Sequence, residues 1–136
     1  MKGLLDVNAL VAFGIREHEF HERVATWFQV LQKEEGFQLF TCSITELGFV
    51  RVLAQTPHYG FTVSEARDLL LRMKRRNEQV FSFVDDTHDI AHIPGWVKYP
   101  KQLTDGHLVR LAKAHGAELA TLDTGIPGAY LIPSQI

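Results

Sequence analysis

Short apolar runs alternate with stretches of helical periodicity along the chain. Lys2 to Asp6 is an apolar run closed by a carboxylate, and the helix-compatible stretch Ala9 to Phe13 follows Asn8. That predicts a strand and then a helix. From Glu19 to Glu35, Phe20, Val24, Trp27, Phe28 and Leu31 fall at offsets of four, seven, eight and eleven, one face of a helix that Gly36 is predicted to end. Gln38 to Cys42 predicts a second strand. Ser43, with Glu46 three positions on, predicts a capping box opening a helix through Leu53. After a turn at Pro57 to Gly60, Thr62 and Glu65 form a second such signature ahead of Ala66, Leu69, Leu70 and Met73, and this helix ends in Arg72, Lys74, Arg75 and Arg76. Val80 to Val84 predicts a brief strand. Asp85 to Gln102 is irregular, broken by Pro94, Gly95 and Pro100, and too long to be a mere connector. Thr104 is predicted to cap a helix over Asp105 to His115, with Leu108, Leu111 and Ala112 on its buried face and Gly116 after its end. Ala117 to Leu122 predicts a buried strand ending at Asp123.

Strands alternating with helices imply an α/β fold, a mainly parallel sheet with helices on both faces. In such folds, ligands sit beyond the carboxyl ends of the strands. Asp6 and Asp123 close strands, while Glu46 and Asp105 lie in first turns of helices at the same predicted edge. All four acids are expected on one rim. Two carboxylates about 5 Å apart repel by roughly 3 kcal/mol at an effective dielectric of 20, so four together call for a positive partner. Oxygen-only ligation selects a hard cation, Mg²⁺ or Mn²⁺, rather than zinc. A hard cation suits phosphodiester hydrolysis by a metal-activated water.

At 136 residues with 46% hydrophobic content, the sequence is expected to form one domain spanning 1–136. A single cysteine, Cys42, excludes an internal disulfide, and Asp6 stands where a signal peptide's apolar region would lie, so a cytoplasmic protein without a membrane segment is expected. The net charge of −2 argues at first against a nucleic-acid partner. Setting aside the four acids leaves 14 basic against 16 − 4 = 12 acidic residues, a mildly basic remainder. Arg51, Arg72, Lys74, Arg75, Arg76, Lys98 and Lys101 are candidate phosphate contacts, although charge at helix ends is more often a solvated face.

Each of these signals has a plainer reading. Glu46 can serve only as Ser43's capping partner, and Asp105 only as a favourable charge at a helix N-terminus. His88 and His92 have the i, i+4 spacing of a zinc helix, but Asp89 replaces the required Glu and Pro94 truncates the helix. His18 and His21 lack a third ligand. Cys42 reads as a small buried residue rather than a nucleophile, and Trp96 and Tyr99 as packing residues rather than base-stacking ones.

LLDVNAL at the start, TELGFVRVL from Thr45, TDGHLVRLA from Thr104 and ATLDTGI from Ala120 resemble the four acidic segments of PIN-domain ribonucleases, specifically VapC-type toxins. The resemblance covers essentially the whole chain and implies a PIN-like three-layer α/β/α sandwich and an Mg²⁺- or Mn²⁺-dependent endoribonuclease. It places the metal and catalytic site on Asp6, Glu46, Asp105 and Asp123, with Asn8 and Thr121 in support and Arg51 near the cleft. It further implies an RNA substrate, a cognate antitoxin and a homodimer. Asn8 and Thr121 are expected to hydrogen-bond ligand carboxylates, and Thr104 to cap its helix and steer Asp105. Gly106 departs from the family's frequent alanine and is expected to loosen the helix's first turn. Two rival readings are a catalytically silent RNA- or partner-binding PIN module and a metal-dependent phosphatase.

Overall fold

The computed structural model describes residues 1–134. Five strands, β1 (Lys2–Leu5), β2 (Gln38–Thr41), β3 (Phe81–Phe83), β4 (Glu118–Thr121) and β5 (Tyr130–Leu131), form one sheet in the order β3-β2-β1-β4-β5. Every pairing is parallel. Helices α1 (Val7–Gly14) and α2 (His21–Leu31) connect β1 to β2, α3 (Ser43–Gln55) and α4 (Val63–Arg76) connect β2 to β3, and α5 (Leu103–Ala114) connects β3 to β4.

Side chains alternate across the sheet, which divides the core in two. Leu5, Leu39 and Ala120 point into a cluster with Leu10, Trp27, Phe49, Leu53 and Leu70 from α1 to α4. Leu4, Phe40 and Leu119 point the other way, onto Leu108, Leu111 and Ala112 of α5. This is the expected α/β/α sandwich. Strand order explains the layering. The chain steps outward from β1 to β2 to β3 and then crosses back to β4, and connections of constant hand must change face when the direction reverses. The reversal opens a switch point between β1 and β4, with Asp6 and Asp123 just beyond the two strand ends.

Several sequence expectations are corrected here. Gly36 does not end α2, which stops at Leu31; it serves a later turn with φ +82, a left-handed conformation that favours glycine. Ser43 and Glu46 do not form the capping box of α3. Cys42 is the N-cap, and the Thr45 hydroxyl accepts from the Cys42 N–H at 3.0 Å and donates to the Cys42 carbonyl at 3.1 Å. Thr104 is not a cap either, because α5 starts at Leu103, continuing a 3₁₀ turn at Pro100–Gln102. The local partner there is Gln102, whose Oε1 accepts from the Lys98 and Tyr99 N–H groups at 2.7 and 3.0 Å. Gly106 does not mark a loose turn: it is buried, and a Cβ there would collide with the Val97 side chain and crowd Pro94. Glycine lets the 85–102 segment lie against α5. The Thr62–Glu65 box of α4 forms as expected, with reciprocal bonds of 2.9 and 3.1 Å. No helix among the described residues is long and apolar enough to cross a membrane.

Candidate active site

Asp6 follows β1 directly and is the N-cap of α1. Its Oδ1 accepts the Val7 N–H at 2.8 Å, and its Oδ2 accepts the Thr121 hydroxyl at 2.7 Å. Thr121 has one hydroxyl proton, committed to Asp6, so its oxygen serves its other neighbours as an acceptor. It receives the Asp123 N–H at 3.0 Å and the Asn8 side-chain amide at 3.3 Å. The Asn8 Oδ1 in turn accepts the Leu122 N–H at 3.1 Å. A fully buried threonine thereby joins the ends of β1 and β4 and fixes Asp6. Asn8, expected on a carboxylate, instead reaches Thr121 and the Leu122 backbone and supports the site at one remove.

A cavity of about 350 Å³ opens at this switch point, lined by Asp6, Asp105 and Asp123 among others. Burial pushes the Asp6 carboxyl above its ordinary range, against the bonds from Thr121 and Val7, and Asp123 pushes it further the same way. Asp105, in the first turn of α5, is raised by burial and then by the charges of Asp6 and Asp123. None of the three forms an ion pair among the described residues. Asp123 is exposed, and its Oδ1 accepts the Gly125 N–H at 2.9 Å.

Glu46 shares the rim but not this cavity. It lies in the first turn of α3 after β2, where its Oε2 accepts from Lys74 Nζ at 2.6 Å and from the Thr41 hydroxyl at 2.6 Å. The pair is half-buried, at 27% and 22% side-chain exposure, and Glu46 borders a separate groove with Leu47, Val50, Val63 and Phe83. The expectation of four acids in a single pocket is therefore corrected to three plus one. Lys74, expected to be free for phosphate, is engaged by Glu46 and lies 5.5 Å from the Phe83 ring centroid. Arg51, Arg72, Arg75 and Arg76 are exposed. Arg72 and Arg75 border a cleft on α4 with Glu65 and Asp68, and none of Asp6, Glu46, Asp105 and Asp123 lines it.

Among the described residues, no three His, Cys, Asp or Glu side chains are grouped closely enough to hold a metal ion as they lie. The donor chemistry nonetheless fits a hard dication. Three carboxylates, two with raised affinity for protons, share a cavity lined by no lysine or arginine among the described residues. His18, Val52 and Tyr59 also line this cavity. Sequence reasoning missed them, because they lie on α3 and on connecting segments brought to the acids only by packing.

The chain matches the PIN domain family over residues 3–130. It is 39% identical to Ribonuclease VapC44 of Mycobacterium tuberculosis (strain CDC 1551 / Oshkosh), over 95% of this chain and 94% of that protein. It is 35% identical to Ribonuclease VapC38 of Mycobacterium tuberculosis (strain ATCC 25618 / H37Rv), over 90% of this chain and 86% of that one. Its fold superposes with a TM-score of 0.64 and 14% identity on a chain of the crystal structure of VapBC2 from Rickettsia felis bound to a DNA fragment from their promoter, covering 96% of this chain and 97% of that chain. A match of this extent, with relatives of this identity along nearly the whole sequence, makes the chain a member of the PIN-domain family, homologous to the VapC ribonucleases.

Proposed function

We propose that the chain is a divalent-metal-dependent endoribonuclease, the toxin half of a toxin–antitoxin pair, acting as a homodimer that a cognate antitoxin silences. The observation that carries the reading is the cavity shared by Asp6, Asp105 and Asp123, whose charges have no counter-cation among the described residues, in a chain homologous to ribonucleases. These three aspartates would hold Mg²⁺ or Mn²⁺. When bound, the ion supplies Lewis acidity and a water of lowered pKa for attack on a phosphodiester.

The chain's own residues do the rest. Thr121 and the Val7 N–H hold the Asp6 carboxylate in one orientation, so its position does not depend on the ion. Asp105 accepts no side-chain or backbone hydrogen bond among the described residues, and both its oxygens stay available for the ion or for a proton of the attacking water. Lys74 and the Thr41 hydroxyl both hold the Glu46 Oε2, so Lys74 supplies the positive partner of this acid. The antitoxin is supported by the fold shared with a VapBC2 chain.

The test is incubation of antitoxin-free protein with total RNA in Mg²⁺, Mn²⁺ or chelator, with end-mapping of the products. Metal-dependent cuts at defined positions are expected. Cleavage that resists chelator overturns the metal, and binding without cleavage leaves the silent module in its place.

A further inference from the structure

We propose that the wall of the acidic cavity not made by carboxylates is a nucleobase subsite, in which Tyr59 stacks on the base next to the scissile phosphate and His18 donates a hydrogen bond to that base's edge. The proposal rests on the ribonuclease reading and deepens it. Val11, Val52, Tyr59 and His18 supply this wall, and among the described residues no lysine or arginine lines the cavity. An ion on the three acids attracts the phosphate, and stacking on an aromatic ring holds the neighbouring base without a cationic side chain.

Tyr59 is half-buried and packs against the larger core cluster, which braces its ring. The turn carrying it is fixed by the Tyr59 N–H on the Thr56 carbonyl at 3.0 Å, and the His58 ring lies 5.6 Å away at 62°. His18 accepts the Phe20 N–H on Nδ1 at 3.0 Å, which places its proton on Nε2 in the neutral ring. Burial favours that neutral form and the neighbouring His21 adds to it, against the opposing charge of Glu19. Nε2–H has no acceptor among the described residues, which leaves a directed donor for a base oxygen or ring nitrogen. A volume of about 350 Å³ lies at the lower end of ligand cavities, which run to about 300–1,000 Å³, and suits one nucleotide rather than a duplex.

Two measurements on the full chain test the subsite separately from catalysis. The first uses a single-stranded hexa-oligoribonucleotide carrying one 2-aminopurine, titrated with and without Mg²⁺. Wild type is expected to quench the fluorophore. Tyr59→Ala is expected to remove the quench and weaken binding about tenfold, the scale of one lost stacking contact, with Tyr59→Phe recovering most of the loss. The second is end-mapped cleavage of a randomised RNA pool. There Tyr59→Ala is expected to raise KM about tenfold with little change in kcat, and His18→Ala to flatten the nucleotide preference beside the cut, which His18→Gln, still an N–H donor, restores. Melting curves establish that each variant is folded. Quenching that survives Tyr59→Ala in a folded protein overturns the subsite whatever the cleavage result. Quenching lost in Tyr59→Ala while wild type cuts no RNA leaves the subsite standing and overturns the ribonuclease reading instead.

Discussion

Two acidic sites on one sheet edge resolve their charge in opposite ways. Glu46 meets Lys74 and the Thr41 hydroxyl, each at 2.6 Å, so its charge is matched within the chain. Asp6, Asp105 and Asp123 share a cavity lined by no lysine or arginine among the described residues, and burial and mutual repulsion raise the proton affinity of Asp6 and Asp105. A carboxylate's position at a strand end does not reveal its role; its counter-charge does. The acid on α3 is paired within the fold, whereas the trio has no ion-pair partner among the described residues.

The largest expected effect separates the two directly. Asp105→Asn should lower RNA cleavage by about 100-fold or more, the scale of losing a charge-stabilising group at a reacting centre. Glu46→Gln should cost less than about tenfold if the resting pair is the working arrangement. Initial rates at saturating Mg²⁺ give both numbers. Thr121→Val strikes the node that holds the trio together, removing the donor to Asp6 and the acceptor for Asn8 and the Asp123 N–H. A stability loss of about 1–3 kcal/mol by urea unfolding is expected, with weaker metal binding.

Gly106→Ala tests how Asp105 is presented. Alanine gains roughly 1 kcal/mol of helix propensity, but its Cβ strikes Val97, and overpacking of this kind costs about 1–3 kcal/mol. Net destabilisation is expected, and Val97→Ala in the same chain should reverse it. Glu46→Gln should cost about 1 kcal/mol, less at high salt, because it strands the half-buried Lys74 ammonium. Asp105→Asn should leave the melting temperature unchanged or raised, since it relieves repulsion.

The smallest effect is on pH dependence. Asp6 and Asp105 have folded-state pKa values above the unstructured value of 3.8, so the folded state binds more protons than the unfolded one just above that pH. Their contribution is fully favourable below 3.8 and is lost as pH rises through the raised folded values. Denaturant titrations across that window should show a shallower slope in Asp105→Asn than in wild type.

Local features of the fold are legible in the sequence. Asp6 and Asp123 stood out because each closes an apolar run that forms a central strand, and parallel order follows from alternating strands and helices. Lys74 lies 28 positions from Glu46, and only the packing of α4 on α3 brings them together, so the sequence showed two charges and not a pair. Thr104 resembled a cap, but the preceding 3₁₀ turn carries the helix back to Leu103 and Gln102 takes the local bonds. β5 has two residues, too few to show any period. His18 and Tyr59 sit on connecting segments, where no hydrophobic repeat points to a site.

The most direct test of the unpaired trio is the rise in melting temperature on adding Mn²⁺ to wild type, Asp105→Asn and Glu46→Gln, because an ion that binds the folded chain stabilises it by mass action. Wild type and Glu46→Gln should show similar concentration-dependent rises, and Asp105→Asn little or none. An equal rise in all three proteins, or one lost only in Glu46→Gln, would contradict the assignment of the ion to Asp6, Asp105 and Asp123.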